Sequence, residues 1–183
     1  MPPALSALPA GTALVQLRDK TCAPREILRL ARELLPACRA RGAPLLINDR
    51  ADIALAAGAQ GVHLPGGGLT AAEARALLGP DALIGVSCHT VEEVEEGSRT
   101  GADFCVFGPV WDVPGKGRAL GPGVLAAAVR ASAIPVLALG GVDPHTAPLA
   151  RAAGACGVAC IRSVLDANEP AAAARALWRS LAR

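Results

Sequence analysis

Polar, proton-active and phosphate-binding residue types collect where apolar runs of the sequence end. "VQLRDK" carries Gln16, Arg18 and Lys20 at alternate positions, and "PLLINDR" closes on Asn48, Asp49 and Arg50. "GVHLP" holds His63, and "LIGVSCH" ends on Ser87 and His89. Pro109 and Lys116 follow in a loop, and the last two runs end on Gly140-Gly141 and Arg162-Ser163. Arginine grips phosphate oxygens with two parallel hydrogen bonds, and lysine supplies a point charge. The N–H groups of a glycine pair cradle an anion, and an imidazole moves protons near neutrality. Any one of these residues has an ordinary explanation as a solvated loop residue or a helix cap. As a set they are basic and rich in hydrogen-bonding groups, with few acids, which is the chemistry of an anionic substrate.

These residues must be positioned by the elements that precede them. Strand candidates are "ALVQLR" (13–18), "PLLIND" (44–49), "GVHLP" (61–65), "LIGVSC" (83–88), "DFCVFGPV" (103–110), "PVLALGG" (135–141) and "GVACIR" (157–162). Helical patterns lie between them at about 23–41, 50–57, 70–78, 90–98, 121–132, 145–153 and 168–181. Thr70 with Glu73, and Thr90 with Glu93, read as capping boxes. "LAAGAQGVHL", "SRTGADFCVFG" and "ARAAGACGVACI" echo one another as helix end, Gly-Ala turn and short strand. Gly58, Gly101 and Gly154 sit where a helix end needs the left-handed conformation.

The expected fold is α/β: a TIM-type (β/α) barrel lacking the first strand, with seven recognisable β/α units in one domain over 1–183. An open doubly wound sheet is the alternative, weakened because no G-x-G-x-x-G follows the first strand. In a parallel barrel the strand ends listed above all open on one face, where the chemistry sits. A barrel short of one stave exposes strand edges. The expectation is a start site placed too late, or closure by other means such as a partner.

Composition narrows the function classes. Hydrophobic residues make up 52% of the chain, yet aromatics are limited to two Phe and two Trp, so the core is built from Ala, Val, Leu and Ile. That suits buried parallel strands under Ala-rich helices and not a nucleic-acid binder, which needs stacking platforms and basic stripes. A net charge of +2 names no electrostatic partner. The six cysteines form no C-x-x-C pair, which argues against a zinc ribbon or redox motif. Cys88, Cys105, Cys156 and Cys160 read as small core residues. The N-terminus lacks the pattern of a signal peptide, and no window reaches the roughly 18 apolar residues of a membrane span. A soluble, reduced, cytoplasmic protein is expected, with no nucleic-acid or membrane partner and with room for a homo-oligomer.

"VQLRDK", "INDRADIALAAGAQGVHL", "IGVSCHT", "GADFCVFGPV…GKG…LG", "IPVLALGGV" and "AAGACGVACI" together resemble the thiamine phosphate synthase/TenI family. Each motif alone is weak, but six occur in the family's order over about residues 13 to 166. Synthases of this family join an aminopyrimidine pyrophosphate to a thiazole phosphate and release pyrophosphate with Mg²⁺ assistance. TenI-type members isomerise a thiazole phosphate carboxylate by a proton shuttle without metal. The resemblance implies that Gln16, Arg18 and Lys20 gather around the pyrophosphate and pyrimidine, beside Asn48, and that Asp49 helps hold Mg²⁺. It implies a thiazole-phosphate cup at Gly140, Gly141 and the segment after "GVACI", with Ser163 as a further donor. It also implies that His89 moves the proton, the other reading being that His89 only helps begin a helix. His63 and His145 read as structural.

The sequence departs from the synthase pattern in several places. Gly68 stands where that pattern has a second carboxylate, within the run Gly66 to Gly68. Val113 and Gly115 replace two threonines before Lys116, and Arg162 replaces a small residue. Trp111 reads either as a cover for the site or as packing. These departures favour a thiazole tautomerase without metal, in which His89 transfers the proton and Ser87 and Gln16 orient the substrate. The alternative is a thiamine phosphate synthase using Mg²⁺. A further alternative is a protein that binds thiazole or thiamine phosphate without catalysis.

Overall fold

The computed structural model describes residues 2–182. Seven strands form one sheet in the order β1-β2-β3-β4-β5-β6-β7, and every adjacent pair is parallel. They are β1 (Val15–Leu17), β2 (Leu45–Asn48), β3 (Gly61–Leu64), β4 (Leu83–Cys88), β5 (Phe104–Phe107), β6 (Val136–Leu139) and β7 (Gly157–Ala159). The helices are α1 (Pro2–Ser6), α2 (Pro24–Ala40), α3 (Ala51–Ala57), α4 (Ala71–Leu78), α5 (Val91–Arg99), α6 (Pro122–Ala131), α7 (Ala147–Ala152), α8 (Arg162–Leu165) and α9 (Pro170–Leu181). The sheet curls as a (β/α) barrel lacking one stave, because β1 and β7 are its two edges and do not pair with each other. On the outside α1 packs on α9 and touches α2, so helices cover the seam that the sheet leaves open.

Alternation along each strand divides the core in two. Leu45, Ile47, Val62, Leu64, Ile84, Cys88, Cys105, Phe107, Val136 and Ala138 face the helices and are buried in the outer clusters. Leu46, Phe104 and Val106 form the inner cluster with Leu83, Leu137, Leu139 and Ala159. Strands covered on both faces read as unbroken apolar runs, which is why the sequence marks them.

The expected β/α units are all present. Gly58, Gly101 and Gly154 have φ of 70°, 87° and 93°, so each ends its helix in the left-handed region as the repeat implied. Thr70 and Glu73 close a full capping box on α4. The second expected box is only half made. Thr90 Oγ1 accepts the Glu93 N–H at 3.2 Å, but the Glu93 carboxylate accepts from the backbone N–H of His89 rather than that of Thr90. Several strands also end earlier than the apolar runs suggest. In particular β7 stops at Ala159, and Arg162 opens the short helix α8 instead of closing a strand. Cys88 and Cys105 are buried as expected, whereas Cys156 is exposed and Cys160 half-buried. The reason is position: Cys156 and Cys160 flank β7, an edge strand that lacks a neighbour on one side.

Candidate functional site

The register carries polar residues of successive strands onto one inner pleat. Gln16 pairs with Leu46, Asn48 with His63, and His63 with Gly85, so Gln16, Asn48, His63 and Ser87 share the axis-facing side. The inner face of β5–β7 continues instead with Val106, Leu137, Leu139 and Ala159. One half of the mouth is therefore polar and the other apolar.

Within the polar half, Gln16 Nε2 donates to Asn48 Oδ1 at 3.2 Å, tying β1 to β2 at their carboxyl ends. His63 Nε2 lies 2.8 Å from Ser87 Oγ, tying β3 to β4. Burial first, and then the positive charge of Arg18, push the His63 pKa down to about 4, so the ring is neutral. Arg18 itself is exposed just past the end of β1. Lys20 lies beyond the end of β1, in a turn. The extended run ends at Leu17, and Asp19 Oδ1 accepts N–H bonds from Thr21 and Cys22 at 2.7 and 2.9 Å, which turns the chain at Lys20.

Asp49 follows β2 with φ 64°, the one non-glycine residue in the left-handed region among the described residues. Non-glycine residues held there cost energy and cluster at functional sites. Its N–H donates to His63 O at 2.9 Å, which fixes the bend, and its carboxylate stays exposed. A Cβ placed on Gly68 would come within 3.0 Å of Asp49 Oδ1, so the β3–α4 loop passes directly beside this carboxylate and glycine leaves its flank open. Arg50 is occupied locally: it pairs with Asp52 in the first turn of α3, and that bond is the main cause of its raised pKa.

His89 is exposed at the end of β4, with Nδ1 bonded to the carbonyl of Gly108 at the end of β5. Nδ1 must be the donor in that bond, which leaves Nε2 as the ring nitrogen without a partner among the described residues. Asp143 Oδ1 accepts the backbone N–H groups of His145 and Thr146, Thr146 Oγ1 donates to Gly141 O at 3.0 Å, and the His145 side chain is exposed.

On the apolar half, Gly140 and Gly141 have φ of 95° and 62°. Side chains there would lie 2.6 Å from Pro109 Cα and from Trp111 Cβ, so both glycines admit the segment 109–112 against the end of β6. Val110 N–H and Trp111 N–H donate to Leu139 O and Gly140 O at 2.8 and 3.1 Å. Trp111 packs into two core clusters and is a packing residue, not a cover. Lys116 is exposed in the following loop, with no side-chain bond to any described residue. Arg162 is exposed at the start of α8, and Ser163 Oγ is buried there beside the Cys160 thiol, whose raised pKa it partly offsets. Sequence reasoning did not find the strained Asp49, the Gln16–Asn48 tie or the His63–Ser87 pair. The strand parity of positions 48, 63 and 87 carried the signal, but only a known register makes it readable.

The described residues hold no group of three or more His, Cys, Asp or Glu that would bind a metal by themselves. Mg²⁺ asks for less, since it keeps waters and is held by one or two carboxylates plus phosphate oxygens. Asp49, open on the side of Gly68, fits that requirement.

The family described as thiamine monophosphate synthase matches residues 3–164. The chain belongs to that family. A Geobacter sulfurreducens relative, provisionally named a thiamine-phosphate synthase, is 49% identical over 174 residues, covering 93% of this chain and 82% of the relative. The thiamine-phosphate synthase of Chlorobium luteolum is 44% identical over 174 residues, covering 93% and 82%. The solved thiamine phosphate pyrophosphorylase of Pyrococcus furiosus superposes with a TM-score of 0.89 at 30% identity, covering 99% of this chain and 87% of that one. These relatives carry the synthase or pyrophosphorylase name, which favours the synthase alternative over the tautomerase preferred from sequence. No helix among the described residues is long and apolar enough to cross a membrane.

Proposed function

We propose that this protein is a thiamine-phosphate synthase, joining hydroxymethylpyrimidine pyrophosphate to thiazole phosphate with release of pyrophosphate. The observation that carries the reading is the polar half of the mouth, where the Gln16–Asn48 tie brings the basic end of β1 beside the Asn-Asp end of β2. A metal-free proton shuttle on a thiazole has no need of that cluster, whereas a pyrophosphate does. The synthase names of relatives above 40% identity support the same choice. It reverses the preference drawn from Gly68, because Mg²⁺ can be held by a single carboxylate together with the pyrophosphate.

In this reading Arg18 and Lys20 bind the pyrophosphate, Arg18 with paired hydrogen bonds. Gln16 and Asn48, already bonded to each other, hold the pyrimidine over β1 and β2. Asp49 would hold Mg²⁺, which when bound would supply positive charge against the pyrophosphate. Backbone N–H groups around Gly140 and Gly141 receive the thiazole phosphate, with Arg162 as counter-charge. Ser163, next to Arg162 at the start of α8, adds its hydroxyl as a further donor. Lys116 closes over the anions from its exposed loop. The free Nε2 of His89 is a further hydrogen-bonding group at the mouth.

The test is incubation with both substrates, with and without Mg²⁺, assaying thiamine phosphate and pyrophosphate. Metal-dependent formation of both is expected. Absence of product, together with metal-free turnover of the non-aromatic thiazole tautomer that His89→Ala abolishes, would overturn the synthase in favour of the tautomerase.

A further inference from the structure

His63 is the one buried polar residue among the described residues, 6% exposed, on the inner pleat where the site needs polar groups. Three features hold its ring. Nε2 meets Ser87 Oγ at 2.8 Å. Phe104 packs obliquely against the ring, with centroids 6.1 Å apart. Gly85, directly across the register from His63, makes room for both: a Cβ there would come 2.8 Å from His63 Nδ1 and 2.3 Å from Phe104 Cζ. A glycine in mid-strand weakens the strand unless something must approach closely, and here an imidazole and a phenyl ring do.

The direction of the His63–Ser87 bond follows from the other ring nitrogen. Nδ1 makes no hydrogen bond with any described residue. An enclosed N–H without an acceptor is the costlier orphan, and a bare lone pair the cheaper one. The network therefore assigns the proton to Nε2. Burial keeps the ring in this neutral form. A serine hydroxyl that accepts one hydrogen bond must send its own proton elsewhere. Ser87 is only half-buried, so elsewhere means the barrel mouth.

We propose that His63 is a positioning residue: by donating Nε2–H to Ser87 Oγ it turns the Ser87 O–H towards the axis and fixes it as a hydrogen-bond donor to the substrate. The identity of that substrate rests on the synthase reading; the direction of the bond does not. His63 itself never touches the reacting molecules, and its effect passes through Ser87 alone.

A double-mutant cycle tests this. Wild type, Ser87→Ala, His63→Leu, His63→Gln and the Ser87→Ala/His63→Leu double variant are compared for kcat/KM with both substrates and Mg²⁺. Thermal midpoints are recorded alongside. Loss of one oriented hydrogen bond corresponds to a fall of about 3- to 10-fold for Ser87→Ala. His63→Leu is expected to match it, and the double variant to be no worse than Ser87→Ala. His63→Gln, whose amide N–H can donate to Ser87, should recover most of the activity. The idea is overturned if the two losses multiply, or if Gln does no better than Leu at an unchanged midpoint. Should His63→Leu not fold, His63→Gln in the two Ser87 backgrounds decides: a Gln effect that persists without the Ser87 hydroxyl sinks the proposal. Wild type that makes no thiamine phosphate would refute the synthase reading alone. The cycle would then be read by calorimetry on the affinity for each substrate, with additive losses again overturning the positioning role.

Discussion

At the scale of single residues, the site depends on groups held against their ordinary preferences. Asp49 is kept at φ 64° by its bond to His63 O, and its exposed carboxylate stands beside Gly68. Asp49→Asn removes the charge without changing the shape. It should lower metal-dependent turnover by roughly 100-fold or more, with little change in thermal midpoint; activity near wild type would mean that the metal is held elsewhere. Gly68→Asp adds a carboxylate on the open flank, and titration of activity with Mg²⁺ should then reach half-maximum at lower metal concentration. His63 gives a pH prediction with a definite sign. Its pKa is about 4 in the fold against an ordinary 6.5, so below pH 6.5 the unfolded chain takes up a proton that the folded chain refuses. Stability therefore falls as pH drops from 6.5 to 4, by about 3 kcal/mol at most from this group, and levels below. Urea denaturation across that range should show a shallower decline for His63→Gln than for wild type. Equal slopes would contradict the burial argument.

At the scale of elements, each helix begins or ends on local chemistry that the sequence displays. The Thr70–Glu73 box satisfies reciprocal N–H groups at the start of α4, the helix that follows the Gly66–Gly68 loop. Thr70→Ala should cost about 1 kcal/mol, a fall in midpoint of roughly 2–4 °C for a chain of this size. Since α4 anchors the loop beside Asp49, the same variant should also raise the Mg²⁺ requirement; unchanged metal dependence would show that the loop holds its place without the cap. At the start of α5 the arrangement differs. The Glu93 carboxylate is drawn one residue further back to the His89 N–H, so the cap of the helix also fixes the backbone of the site histidine. The spacing of Thr90 and Glu93 is visible in sequence, but the choice between two adjacent N–H groups depends on how β4 delivers the chain.

At the scale of the whole molecule, an open sheet is held in barrel form by its helices. Between β1 and β7 there is no strand pairing, and α1 lies over that seam. Ala4 belongs to the cluster shared with α7, α8 and α9, while the neighbouring Leu5 belongs to the cluster under α2 and α3. This short helix thus joins the two ends of the molecule through adjacent residues. Leu5→Ala should destabilise by about 2–5 kcal/mol, the range for a buried leucine. Because the mouth spans both ends, affinity for both substrates should fall before the sheet melts. A midpoint shift below roughly 2 °C would show that α1 merely rests on the surface.

The sequence by itself determined the seven β/α units and the helix-ending glycines. Those are local or periodic properties: apolar runs buried on both faces, caps, and turns that require left-handed backbone. Tertiary structure decided the rest. Strand register chose which polar residues share the inner pleat, linking Gln16 to Asn48 and His63 to Ser87 across neighbouring strands. The turn at Asp19 removed Lys20 from the run of β1, and the open edge at β7 left Cys156 in solvent. A one-residue change of register would move every side chain of a strand to its other face, and no single stretch of sequence states the register. The glycines that opened the question of metal chemistry follow the same division. Their presence at Gly66 to Gly68 is written in the chain, but only the fold brings Gly68 beside Asp49 and leaves that carboxylate open.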